Sequence, residues 1–310
     1  MKKLVSLLAV LVTTALLADT TYINIGTGGT AGTYYPLGGA FAEIWNSKLK
    51  DVNATAESTG ASVANVNMLQ KGDIDVALIQ NDIAYYAENG VELFKEKQTA
   101  VKGLAILYPE PIQCITLDPN VKSVADLKGK SVAVGAIGSG TAVNATQIME
   151  AAGLKEGDVK VLYLSFAEAV NAMRDGQADA AFQVAGIPTA AIVDLATQKP
   201  VRLVEIGADT LKKLNEKYSY YTALTIPGGS YSTVKDDVKT VTVQSMLVVS
   251  AKFSEDLVYN MLKALYENQD RIAAAHKMGA LIKPESALTG MSIELHPGAV
   301  KYYKEKGLLK

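Results

Sequence analysis

The chain has 310 residues, 49% of them hydrophobic and 20% charged, which suits a soluble α/β protein of one large or two smaller units. A formal net charge of −2 offers no basic face for nucleic acid, and the single cysteine excludes an internal disulfide. The two histidines, His276 and His296, stand at no metal-ligand spacing, so neither a metal centre nor a His-dependent catalytic set is expected.

Residues 1–18 read as a cleaved secretory signal peptide: Lys2 and Lys3, an apolar run over 4–17, and Ala18 before the polar Asp19. That run is short for a membrane span, and no second apolar stretch of about twenty residues follows it. The expectation is an exported protein, soluble in the periplasm.

Beyond it, apolar runs alternate with helical patterns, the mark of βαβ units. Strands are predicted over 22–26, 52–57, 76–79, 104–108, 112–117, 132–135, 159–163, 180–183, 201–206 and 241–250. Helices are predicted over 34–47, 63–71 and 142–152, with an amphipathic region over 254–276 and a last helix near the C-terminus. Cys114 falls inside a strand and reads as a buried, inert thiol. His296 precedes Pro297 and reads as a helix cap.

A weak repeat divides the chain. Residues 66–80 (VNMLQKGDIDVALIQ) match 170–184 (VNAMRDGQADAAFQV) at Val66, Asn67, Gly72, Asp75 and Ala77 against Val170, Asn171, Gly176, Asp179 and Ala181. Each copy describes a helix ending at glycine, then a tight turn into a buried strand. Each is preceded by a strand, a Gly-Thr loop and a helix. Two similar lobes facing a cleft are therefore expected, 19–108 with 223–310 as lobe 1 and 109–222 as lobe 2. Pro109 and Pro111 mark the crossover as a candidate hinge.

The Gly-Thr loops carry the candidate chemistry. Gly26–Gly39 and Gly135–Thr141 each leave a strand and open a helix, where backbone N–H groups and the helix dipole favour an anion. Thr27, Thr30, Thr33, Ser139 and Thr141 add hydroxyls, Tyr34 and Tyr35 could wall a pocket, and Ser58, Thr59 and Ser62 sit at a third strand-to-helix turn. Segments beginning at Gln80 and Gln183 start after corresponding strands, whose ends face the crevice in an open α/β sheet. Ser and Thr before a helix are more often caps than ligands, Asp82 also reads as a cap, and Tyr34 and Tyr35 serve equally well as packing. Gly26, Gly28 and Ala31 also fit a loose dinucleotide fingerprint with Glu57 as the ribose acid, which leaves an NAD-binding enzyme as a lesser alternative.

Taken together, the segments INIGTGGTAGTYYPLGG, ESTGASVANVNML, GDIDVALIQND, DLKGKSVAVGAIGSGT, FQVAGIP and LHPGAVKYYKEKG resemble the TAXI family, the extracytoplasmic solute receptors of one class of tripartite ATP-independent periplasmic (TRAP) transporters. The resemblance runs from Ile23 to Gly307. It implies a two-lobed type II periplasmic-binding-protein fold with the ligand cleft between the lobes, and no enzymatic activity. No cofactor is implied; the protein would act as a monomer and deliver its solute to TRAP membrane permease subunits. The implied solute is a small carboxylate: glutamate, glutamine, 2-oxoglutarate or a related C4–C5 acid. By position in the matching motifs it assigns ligand binding to Thr27, Gly28, Thr33, Tyr34, Thr59, Ser62, Gln80, Asp82, Ser139, Gly140, Thr141, Gln183 and Gly186. Ala61 departs from the family, which often has glycine there. None of Arg174, Arg202 and Arg271 lies in a Gly-Thr loop, so neutral donors are expected to hold the anion. A sensory binding protein for a membrane kinase is the alternative use of the same cleft.

Overall fold

The structure, a computed structural model, describes residues 20–310. The expected signal peptide lies outside the described residues.

Two sheets share one path of strands. The first half contributes β1 (Thr21–Gly26), α1 (Tyr34–Lys48), β2 (Val52–Glu57), α2 (Ser62–Lys71), β3 (Val76–Gln80) and α3 (Asn81–Asn89). The strand β4 (Val101–Thr116) then runs into the second half, which holds β5 (Ser131–Ala133), α4 (Gly140–Ala151), β6 (Lys160–Leu162), α5 (Phe166–Arg174), β7 (Ala180–Val184), α6 (Ala190–Gln198), β8 (Arg202–Val204) and α7 (Ala208–Asn215). After β9 (Thr222–Ile226), β10 (Val238–Ser250) leads back to α8 (Glu255–Tyr266), α9 (Gln269–Ala275) and α10 (Pro297–Glu305). The strand order is β2-β1-β3-β10-β4-β7-β5-β6, with β8 on β4 and β9 on β10.

Pairing repeats across the halves. β1 is parallel to β2 and β3, as β5 is parallel to β6 and β7. The repeat seen in the sequence is structural. Gly72 and Gly176 both end a helix at positive φ (+83° and +72°), a conformation a side chain would strain. Asp75 then accepts the N–H of Asn24 at 2.9 Å, and Asp179 accepts that of Ser131 at 2.7 Å. Each aspartate fastens its turn to the first strand of its own half.

Among the described residues β4 is the strand that pairs in both sheets, with β10 in the first and with β7 and β8 in the second, and β10 runs back alongside it. Sequence reading expects two strands broken at the prolines, but β4 is continuous through Pro109 and Pro111. There it pairs with β10 on one side alone, since pairing with β7 begins at Ile112. A proline lacks a ladder donor, and an unpaired edge does not require one.

The core falls into clusters on either side of this crossing. Trp45, Leu104, Met261 and Tyr303 pack in the first, where the indole N–H of Trp45 donates to the Met261 carbonyl at 3.1 Å and ties α1 to α8. Phe182, Ile148 and Tyr221 pack with Val241 and Val243 of β10 in the second. The amphipathic 254–276 region is two helices, α8 and α9, separated by a short break. Among the described residues no helix is long and apolar enough to cross a membrane.

Candidate functional site

A cleft with about 590 Å³ of empty space, part of it open to solvent, lies where strand ends of both halves meet. The β1–α1, β2–α2, β5–α4 and β6–α5 loops, the ends of β3 and β7 and the middle of β4 all reach it. This is the crevice at the carboxyl ends of strands where α/β sheets hold ligands.

Nine of the thirteen residues expected to bind a ligand line this cleft: Gly28, Thr33, Tyr34, Thr59, Ser62, Gln80, Ser139, Gly140 and Thr141. Several of them also do local work. Ser139 caps α4 by accepting the Ala142 N–H at 3.1 Å. Ser62 accepts the Gln80 N–H at 3.2 Å, and Thr59 accepts that of Ala61 at 3.0 Å while its hydroxyl sits 2.6 Å from Asn65 Oδ1. Asn65, unmarked in the sequence reading, donates to the carbonyls of Thr27 (2.7 Å) and Leu78 (2.9 Å) and so ties the end of β1 to β3. Thr141 differs: it is 4% exposed and its hydroxyl has no protein partner among the described residues.

The other four lie off the lining. Thr27 is fully buried and donates its hydroxyl to the Glu57 carbonyl at 2.6 Å; a side chain at Gly38 would collide with its methyl. Gln183 is fully buried on β7 in register with Gln113, and both of its amide atoms lack partners. The Gly186 carbonyl lies 3.4 Å from the Thr33 hydroxyl, and a Cβ at Gly186 would strike Met278. Asp82 accepts from Asn144 at 2.7 Å, inside a network that runs through Tyr221, Gln147 and Tyr86. Burial pushes its carboxyl up to about 6, against the Asn144 hydrogen bond.

The helix ends are used unequally. The α2 end is closed: the N–H groups of Val63 and Ala64 both point to the Gly138 carbonyl, at 3.0 Å, from the other half. Ser139 closes part of the α4 end through Ala142, whereas Thr33 gives α1 no side-chain cap. Ala61, the departure from glycine, holds φ +68° and ψ −147°, a region glycine tolerates and alanine does not, with its methyl 3.4 Å from where a Cβ at Gly28 would stand.

Sequence reading missed Glu110, Ser165 and Phe166. Glu110 is 1% exposed and lines the cleft, accepting the Tyr34 hydroxyl at 2.7 Å and the Tyr108 hydroxyl at 3.4 Å. Burial pushes its carboxyl up to about 8; the Tyr34 hydrogen bond pulls down and the charge of Asp82 pushes up. The available signal was an acid inside an apolar strand, which the flanking prolines disguised as a hinge. Phe166 covers Gly32, with ring carbons 3.5 Å from the position of a Cβ there.

Among the described residues no basic side chain lines the cleft. Arg174 pairs with Asp194 at 2.6 Å on the surface, and Arg271 donates to Ser47 at 3.0 Å. His296 caps α10 by accepting the Gly298 N–H at 3.1 Å, as its position before Pro297 predicted. His276 accepts the Met278 N–H at 3.1 Å, and its other ring nitrogen lies 3.1 Å from the Pro188 carbonyl. Burial pushes the Cys114 thiol up to about 12, so it stays neutral. Among the described residues no group of His, Cys, Asp and Glu is placed to hold a metal.

The profile of the NMT1-like family matches residues 25–307. Solved structures share the fold at low identity. The alkanesulfonate-binding protein SsuA from Xanthomonas axonopodis pv. citri, bound to MOPS, is 16% identical with a TM-score of 0.54, over 94% of this chain and 96% of that one. A putative L-cystine ABC transporter protein from Listeria monocytogenes is 16% identical with a TM-score of 0.52, over 86% and 98%. The periplasmic aliphatic sulphonate binding protein SsuA from Escherichia coli is 16% identical with a TM-score of 0.50, over 92% and 82%. The expected two-lobed fold of the periplasmic binding proteins is thus the fold observed.

Proposed function

This chain belongs to the NMT1-like family, and on that premise we propose that it is an extracytoplasmic solute-binding protein that closes its two lobes on a small carboxylate-bearing molecule and delivers it to a membrane transporter. The observation that carries the reading is the shared cleft, lined from both halves by Gly, Ser and Thr at strand-to-helix turns. A ligand seated there joins the halves, so it stabilises the closed arrangement by as much as it prefers that arrangement to the open one. The thirteen assigned residues stand as its binding set, nine in contact and Thr27, Asp82, Gln183 and Gly186 in support. The proposed lobes are 19–108 with 223–310 and 109–222.

The finer reading is a TAXI-type receptor of a TRAP permease, on the motifs from Ile23 to Gly307, working as a monomer in the periplasm after loss of residues 1–18. Glutamate, glutamine, 2-oxoglutarate and related C4–C5 acids are the proposed solutes. The matched structures are named for sulfonate and cystine binders, whose anionic heads suit the same kind of helix-end seat. No catalytic role is proposed.

A thermal-shift screen of amino acids, keto acids and dicarboxylates tests this, since a ligand of the native state raises stability by RT ln(1 + [L]/Kd). At least one should raise the melting temperature, and Thr33→Ala and Thr141→Ala should each weaken that ligand by about 1–3 kcal/mol. Unchanged affinity in both variants would remove the site assignment.

A further inference from the structure

Among the described residues Glu110 is the only carboxyl side chain on the wall of the cleft, and no lysine, arginine or histidine shares that wall. Its two oxygens receive the phenol protons of Tyr34 and Tyr108, which are neutral donors and cancel no charge. The other acid acting on it, Asp82, has the same sign. A buried carboxylate without a counter-charge is costly, so the ligand-free cleft holds Glu110 as the acid form, in keeping with its value near 8.

A second acceptor, an unpaired one, belongs to a residue of the same wall. Gln80 is 2% exposed, lines the cleft, and its amide oxygen has no hydrogen-bond partner. That oxygen presses on Gly140, where a Cβ would overlap it. Hydroxyls and helix-end N–H groups suit a ligand's anion, but neither Glu110 nor the Gln80 oxygen does. An anion lacking any cationic group would leave Glu110 in its acid form and gain no ion pair from it.

We propose that Glu110 is the counter-charge for an ammonium group on the ligand, aided by the Gln80 amide oxygen, so that the cleft selects an α-amino acid over the corresponding keto acid or unsubstituted dicarboxylate. This rests on the solute-receptor reading and narrows its ligand class. Binding at neutral pH converts the Glu110 acid and a free ammonium into a carboxylate–ammonium pair, and the displaced carboxyl proton passes to solvent. The groups facing Glu110 are Tyr34 of α1, Tyr108 of β4 and Asp82 of α3. Both phenols are held well above their ordinary range by burial and then by the charge of Glu110. Neither titrates near neutrality, which leaves Glu110 as the proton's source.

Isothermal titration of the purified protein with the twenty L-amino acids, glutarate and 2-oxoglutarate, at pH 7.5 in phosphate and in Tris, tests this. The expected result is an amino acid that binds at least about 30-fold more tightly than its keto and deaminated counterparts. Its apparent enthalpy should differ between the buffers in the sense of proton release. Glu110→Gln should bring the two ligand types to within a few-fold and abolish the release. The proton count of the wild type decides the matter even if that variant folds poorly. Glutarate or 2-oxoglutarate binding as tightly as any amino acid, or with proton uptake, would overturn the proposal and leave the receptor reading standing. No binding by any compound in the panel would overturn both.

Discussion

Asn144 of α4 donates its amide to Asp82 of α3 at 2.7 Å, a hydrogen bond that crosses from one half of the molecule to the other. The same amide reaches the Tyr221 hydroxyl at 2.8 Å, and Gln147 one turn later meets the hydroxyls of Tyr221 and Tyr86. With the Gly138 carbonyl on the end of α2 and the His276 ring near Pro188, these contacts describe closed lobes.

Closure should therefore be weakened from outside the ligand seat. Asn144→Ala leaves Asp82 buried without its donor, at a cost of about 1–3 kcal/mol, charged mainly to the closed state. Ligand affinity should drop roughly 5- to 100-fold although the residue lies off the cleft wall. Small-angle scattering should show a larger radius at subsaturating ligand. An affinity within twofold of wild type would dismiss the latch.

Stability of the ligand-free protein should depend on pH through the two buried acids. A carboxyl with a folded value above its free value keeps an extra proton when folded, so stability is full below the free value and declines as pH climbs to the folded one. The windows are 3.8 to about 6 for Asp82 and 4.5 to about 8 for Glu110. His276 and His296 act oppositely, because burial lowers their values and their stabilisation grows as pH rises toward 6.5. Between pH 7 and 8.5 Glu110 dominates among the described residues. The melting temperature should fall across that interval in the wild type and stay level in Glu110→Gln; a rise in the wild type would contradict the assignment.

Ala61→Gly should stabilise the fold by about 1 kcal/mol, since it removes a side chain from backbone that strains it. The midpoint of urea denaturation measures the gain. It should also widen the space beside Gly28, and a lowered midpoint would mean that the Ala61 methyl packs favourably.

Asp75 and Asp179 should behave as counterparts. Each ties a post-glycine turn to the first strand of its half, so alanine at either position should lower stability by about 1 kcal/mol, with asparagine restoring part of the loss. The Asp75 variant should lose more, because Asp179 is the more exposed of the two. A large effect at one position and none at the other would reduce the repeat to a resemblance of letters.

What the sequence made legible is what short-range chemistry determines. Gly72 and Gly176 end helices, His296 caps one, and the Gly-Thr loops lie at strand ends, all readable within a few residues. What it hid depends on residues far apart in the chain. The α2 end around Thr59 and Ser62 looked open to an anion, yet Gly138 fills it from about seventy-five residues away. Asp82 looked available for a ligand but is engaged by Asn144. Glu110 sat between prolines in a stretch read as a hinge, and only the pairing of β4 with β10 and the approach of Tyr34 turn it into a cleft residue.

The two halves are joined by paired strands rather than by free coil. Separating them must flex β4 and β10 together, like two leaves of one spring, without tearing the ladder between them. The register shifts at Gln244–Met246 and Leu247–Val248 are the places where that ladder already yields. Such a joint favours a small, elastic travel with a restoring force, so the empty protein should breathe about its shut form instead of swinging wide.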